Sequence, residues 1–236
     1  MLSDVCIQFD SVSKKYSKSA SQHGTLRDEI MNFFSIKKSS KELKEHEFWA
    51  LDRISFLIKK GECIGLYGPN GSGKSTLLKL IANVIYPNHG KVSVNGWIAP
   101  LIELGAGFHP DLNGIENIYM NGAILGMTIS EIKSKIDKII EYSELSDFIS
   151  TPVKKYSSGM KLRLGFSVAI HSEADIFLFD EILAVGDESF NKKSMLSIKK
   201  LSKIGKTLII VSHNKSTLMD MTDRIIHISK GVAQSK

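Results

Sequence analysis

The 236-residue chain is 42% hydrophobic and 24% charged, which excludes a mainly disordered or fibrous polymer and leaves an ordinary globular core. Its 31 basic against 25 acidic side chains give a net charge of +6, with clusters at Lys14-Lys15, Lys37-Lys38 and Lys192-Lys193; this suits a solvated face or an anionic membrane surface, and with no zinc-finger or aromatic RNA-binding signature no nucleic-acid partner is expected. No apolar run is long enough to cross a bilayer, Met1-Leu2-Ser3-Asp4 lacks the plan of a signal peptide, and Cys6 and Cys63 sit far apart in strand-like context, so a cytoplasmic location with two core cysteines is expected.

Residues 4–12 alternate between apolar and polar side chains, as a half-buried strand would. Tyr16 follows, a ring that can stack on a base or pack on its own domain. The segment 17–46 differs in character. Ser- and Lys-rich ends bracket a short amphipathic helix in which Leu26, Ile30, Phe33 and Phe34 share a face, with Thr25 as N-cap and Asp28-Glu29 in the first turn. Such a helix packs on its own domain or meets a partner or a membrane interface. Strand segments are predicted at 48–51 and 54–58, and the turn Lys59-Lys60-Gly61-Glu62 leads into a third, Cys63-Ile64-Gly65-Leu66-Tyr67.

That strand runs into Gly68-Pro69-Asn70-Gly71-Ser72-Gly73-Lys74-Ser75-Thr76, a full match to the phosphate-loop spacing G-x-x-x-x-G-K-S/T in its required strand–loop–helix context. Glycines let the backbone curl with its N–H groups toward an anion, and the following helix adds the positive end of its dipole. Lys74 supplies a point charge to the β- and γ-phosphates, and the Ser75 hydroxyl is a ligand for the Mg²⁺ that travels with the nucleotide.

Beyond a turn at Tyr86-Pro87-Asn88-His89-Gly90, the stretch 91–96 alternates like an edge strand. From Leu104 to about Thr151 the pattern is helical, with Ser130 as an N-cap and Ile132, Ile136, Ile139 and Ile140 on one stripe. Another helix starts at Ser157 or Ser158. The apolar run Ile176-Phe177-Leu178-Phe179 and the run Thr207-Leu208-Ile209-Ile210-Val211 read as strands covered on both faces. They deliver Asp180-Glu181 and Ser212-His213 to carboxyl ends of an α/β core, beside the phosphate loop. Asp180 is placed to hold Mg²⁺ through a water, Glu181 to orient and deprotonate an attacking water, and His213 to hydrogen-bond the γ-phosphate.

Tyr156-Ser157-Ser158-Gly159-Met160, upstream of Asp180-Glu181, resembles the signature motif of ABC-type ATPases, in the variant of the ATP-binding subunits that export O-antigen, capsule or teichoic acid. Supporting stretches are 48–51, 101–110, Glu116-Asn117-Ile118-Tyr119 and Ala184-Val185-Gly186-Asp187. The resemblance implies an α/β fold with a mixed sheet core, an antiparallel β subdomain and an α-helical subdomain. It divides the chain into residues 1–103, with the phosphate loop and a 17–47 insertion; 104–160, the helical subdomain; and 161–236, the remainder of the core. It further implies a head-to-tail dimer of two copies, in which Ser157, Ser158 and Gly159 contact the γ-phosphate held by the partner's loop. Asp187 then crosses the interface, Tyr16, with Trp49 as a rival, stacks on adenine, and His213 is the switch histidine.

The partners so implied are membrane-spanning permease subunits, met by the amphipathic helix at the cytoplasmic face of the membrane. The implied cargo is a lipid-linked polysaccharide, and no appended carbohydrate-binding domain is expected. One position departs from the family pattern. Where most members place a Gln to contact Mg²⁺ and water, the nearest polar residue is Glu103, and a carboxylate there binds the cation more strongly but repels phosphate. An exporter of another substrate, or a non-transport ATPase of the same type, are the alternative readings.

Overall fold

The computed structural model describes residues 4–17, 46–101, 107–180 and 187–235. The expected insertion helix with Leu26, Ile30, Phe33 and Phe34, and the residues Glu103, Glu181 and 184–186, lie outside these. Strands β1 (Val5–Ser17) and β2 (Glu47–Lys59) pair antiparallel, and β4 (His89–Val94) closes the sheet on the other side of β1. The two strand segments expected within 48–58 are one strand. Ser11 and Arg53 both take left-handed backbone, φ 48 and 47, and the ladder shifts register around the Val12–Ile54 pair. Hydroxyls recover the bulge amides: Ser11 N–H donates to Ser55 Oγ and Arg53 N–H to Ser13 Oγ, each at 2.9 Å. The bulge interrupts the alternation in sequence without ending the strand.

The larger sheet holds β3 (Cys63–Tyr67), β5 (Ile98–Leu101), β6 (Ile176–Asp180), β7 (Thr207–Val211), β8 (Arg224–Ser229) and β9 (Val232–Ser235), in the order β5-β6-β7-β3-β8-β9. All neighbours are parallel except the β8–β9 hairpin. Helices among the described residues are α1 (Lys74–Ile81), α2 (Gly114–Ile124), α3 (Ile129–Ser143), α4 (Ser158–Ile170), α5 (Glu188–Lys203) and α6 (Lys215–Met221).

Alternate side chains of the central strands enter two different cores. Ile64, Leu66, Leu178 and Ile209 pack with Leu77, Leu78 and Ile81 of α1 and with the antiparallel sheet. Phe177, Phe179, Leu208 and Ile210 pack with Phe166 of α4, Phe190 and Ile198 of α5 and Leu218 of α6. Cutting one such phenylalanine to alanine costs about 3–5 kcal/mol. A third cluster joins Ile118, Ile132, Ile139, Leu164 and Val168. Helix α4 therefore buries one side against α2 and α3 and the other against the sheet, which is why its sequence is apolar almost all round.

The N-cap of α3 is Thr128, not Ser130. Thr128 Oγ1 accepts from the Glu131 N–H at 3.2 Å while the Glu131 carboxylate accepts from the Thr128 N–H at 2.6 Å, a closed capping box that the Ser130 register cannot make. Both cysteines are buried, as expected; burial pushes the Cys63 thiol up to about 12, so it stays protonated and unreactive. No helix among the described residues is long and apolar enough to cross a membrane.

Candidate nucleotide-binding site

The chain leaves the sheet at the carboxyl end of β3 and re-enters regular structure at Lys74, the first residue of α1. Between them the loop folds on itself. Ser72 N–H donates to the Pro69 carbonyl at 3.2 Å, and the Lys74 ammonium donates to the carbonyls of Gly68 and Pro69 at 2.8 and 3.0 Å. Lys74 is only 6% exposed. Gly73 stands before it with φ 111, and a Cβ there would lie 2.5 Å from the Ala50 carbonyl oxygen. Only glycine fits both restraints.

Gly73 also offers no side chain to cap the helix. In contrast α2 to α6 are capped by Asn113, Thr128, Ser157, Asp187 and Asn214, each accepting from a first-turn amide. Among the described residues no side chain caps the first turn of α1, so its amides face an outside acceptor at the positive end of the helix and beside a buried ammonium. That is an anion site.

A cavity of about 520 Å³ opens onto it, lined by Tyr16, Phe48, Ala50, Asn70, Gly71, Gly73, Lys74, Ser75, Thr76 and Asp180. Tyr16 and Phe48 face each other across the β1–β2 ladder, with ring centroids 6.2 Å apart. Trp49, one residue on, turns to the opposite face and lies against His89 with centroids 5.7 Å apart. Of the two aromatic candidates for a base, Tyr16 is the one on the cavity. Phe48 and Ala50 were not singled out by sequence as site residues. The signal was the period-2 alternation itself, which puts 48 and 50 on one face and 49 on the other.

Asp180 ends β6, separated from β3 only by β7, and so reaches the same cavity as Ser75. A hydroxyl and a carboxylate are hard oxygen donors of the kind Mg²⁺ takes, with the remaining positions left to phosphate and water. The volume, the aromatic wall, the uncapped helix and these oxygens fit ATP with its cation. Gly68, Pro69 and Ser72 build the loop without lining the cavity. The Ser72 hydroxyl is buried and has no hydrogen-bond partner among the described residues.

Among the described residues, His213, Ser157, Ser158, Gly159 and Asp187 do not line this cavity. His213 is exposed just after β7, between the buried Ser212, whose Oγ accepts from Asn214 N–H at 3.0 Å, and the cap of α6. Ser157 caps α4 by accepting from Met160 N–H at 3.2 Å; Ser157 and Ser158 are exposed, and a Cβ on Gly159 would meet only Ser157 Oγ, at 3.9 Å. Asp187 caps α5. The Phe190 backbone N–H, at 2.9 Å, and the Ser189 hydroxyl, at 2.7 Å, hold its carboxyl below the usual range. Among the described residues these groups are not on the cavity that holds Lys74.

Fold and loop together define a phosphate-loop nucleotide-binding protein of α/β class. The family model described as ABC transporter matches residues 51–184, and the chain belongs to that family, whose ATP-binding domains hydrolyse ATP. Among curated proteins it is 43% identical over 222 residues to the O-antigen export system ATP-binding protein RfbB of Klebsiella pneumoniae, covering 94% of this chain and 89% of that one. It is 45% identical over 210 residues to the RfbB protein of Myxococcus xanthus, covering 89% of this chain but 48% of the relative. With the teichoic acids export ATP-binding protein TagH of Lactococcus lactis the identity is 43% over 220 residues, covering 91% of this chain and 47% of the relative. Against the last two the chain spans about half the relative's length. A solved dimeric structure of the ATP-binding cassette MJ0796, in a post-hydrolysis state with ADP and Pi, shares the fold with a TM-score of 0.75 at 22% identity, over 98% of this chain and 97% of that one.

Proposed function

We propose that this chain is the ATP-hydrolysing subunit of an exporter that drives a lipid-linked polysaccharide, of O-antigen, capsule or teichoic acid type, across the cytoplasmic membrane. The observation that carries the ATPase reading is the single cavity joining Tyr16, the uncapped phosphate loop with Lys74, Ser75 and Asp180. The polysaccharide rests on the names of relatives 43–45% identical over most of the chain.

In this reading Tyr16 stacks on adenine, and the loop amides with Lys74 hold the phosphates. Ser75 and Asp180 hold Mg²⁺, with Glu103 as a further candidate ligand; the cation, when bound, offsets the charge that develops on the transferred phosphoryl group. Glu181 takes the proton of the attacking water, and His213 hydrogen-bonds the γ-phosphate. Ser157 and Ser158 are exposed and Gly159 half-buried at the uncluttered start of α4, and none of the three lines the cavity that holds Lys74. They serve the site of a second copy, as does Asp187, so two chains close two ATP molecules head to tail. Membrane-spanning permease subunits hold the dimer peripherally at the cytoplasmic face.

The test is in cells. Replacing Glu181 by Gln in the native copy should remove the polymer from the surface and accumulate lipid-linked polymer inside, read by a probe applied to intact and permeabilised cells. Unchanged surface polymer with the variant expressed would remove the polysaccharide from the assignment and leave the ATPase in place.

A further inference from the structure

The phosphate loop is braced from behind by the β8–β9 hairpin, at two points. At the first, Gly68 approaches β8 so closely that a Cβ would stand 2.1 Å from the Ile228 carbonyl oxygen. At the second, the Gly231 N–H donates to the Ser72 carbonyl at 3.1 Å, and the Gly231 carbonyl accepts from the Asp52 N–H of β2 at 2.8 Å. The turn itself is tight. Lys230 and Gly231 have φ 49 and 77, and Ser229 pairs with Val232, the geometry of a two-residue hairpin turn that favours glycine at its second position.

Gly231 therefore ties together three things: the loop at Ser72, the strand that carries Phe48 and Ala50, and the hairpin. A Cβ on Gly231 would lie 2.9 Å from the Ala50 carbonyl oxygen. That is the same oxygen against which Gly73 is packed, 2.5 Å from its own Cβ position. Ala50 lines the nucleotide cavity, so the carbonyl is wedged between the loop and the turn. A displacement of the turn must move Ala50, release Ser72, or both.

We propose that Gly231 is a positioning residue for nucleotide binding, coupling the β8–β9 hairpin to the phosphate loop through the Ser72 and Ala50 carbonyls. The proposal rests on the ATP-site reading above. It adds that loop and hairpin report on each other: what orders one orders the other, since coupling between sites is reciprocal. Whatever pulls on the hairpin, a partner or further chain, then reaches the phosphates without touching the nucleotide.

The experiment compares Gly231→Ala with Gly205→Ala in the full chain. Gly205 has φ +80 and nothing within 4 Å of its Cβ position, so the two changes carry similar backbone strain and only one carries the clash. Both should lower Tm, Gly231→Ala by more, because it adds the contact with the Ala50 carbonyl to the strain the two changes share. The Kd for mant-ATP should rise roughly tenfold for Gly231→Ala and by less than about twofold for Gly205→Ala. Gly231→Asn, which tolerates the left-handed backbone but keeps a Cβ, should recover the part of the stability lost to strain and still bind weakly. In the wild type, ATP should slow hydrogen exchange across residues 228–235. Equal mant-ATP affinity for Gly231→Asn and wild type, or hairpin exchange indifferent to ATP, would overturn the coupling even if Gly231→Ala does not fold. A wild-type chain that failed to bind mant-ATP would instead overturn the ATP reading, and the coupling with it.

Discussion

The ammonium of Lys74 is held 2.8 Å from the carbonyl oxygen of Gly68, six residues back along the loop that it closes. The cation is thus placed before any phosphate arrives, at the cost of a buried position it could not hold without the two loop carbonyls. Lys74→Ala should raise the Kd for ATP by roughly 100-fold, the loss of a charge-assisted contact in a low-dielectric cradle. Lys74→Arg should not restore binding, because a planar fork does not fit where a compact charge is required. Isothermal calorimetry on the purified variants checks both.

The opposite orientations of Tyr16 and Trp49 give a cleaner contrast. Tyr16→Ala should weaken ATP binding by about 1–3 kcal/mol, the range for a base on an aromatic platform, and leave the affinity for inorganic triphosphate unchanged. Trp49→Ala, which removes a ring packed on His89, should change neither affinity. Equal losses in the two variants would place the base elsewhere.

Stability should fall in acid through an ion pair that locks the start of the site strand. Glu62 precedes β3 and takes the guanidinium of Arg224 on β8, with Nε to Oε1 at 2.6 Å. Burial raises its pKa, but the Arg224 hydrogen bond and the Lys59 N–H outweigh that and hold it below the ordinary glutamate range. A folded-state pKa below the unfolded one adds stability above the unfolded value, and this is lost as pH falls through the folded value. Glu62→Gln should cost on the order of 1 kcal/mol at neutral pH and flatten the decline below pH of about 4, seen as Tm against pH.

Strong local signals carried most of the fold into the sequence. The apolar runs 176–179 and 207–211 are strands buried on both faces, and the phosphate-loop spacing runs from the end of β3 into the first turn of α1. What was not legible has physical causes. The bulge at Ser11 and Arg53 breaks the period of β2, β5 is four residues long and includes Pro100, and α5 hides Phe190, Ser194, Ile198 and Leu201 within a lysine-rich run. In the site, Lys74, Ser75 and Asp180 were readable because each is fixed by its own strand or helix end. Gly231 was not, because its role arises from contacts to Ser72 and Asp52, roughly 160 and 180 residues away in sequence.

The most direct test of the composite site is sedimentation velocity on Glu181→Gln, a variant expected to bind ATP and turn it over poorly. With ATP and Mg²⁺ this variant should sediment as a dimer, with ADP as a monomer, and with Ser158→Arg added as a monomer under both conditions. A Glu181→Gln chain that binds ATP yet stays monomeric at every nucleotide concentration would contradict the head-to-tail dimer and the role given to the start of α4.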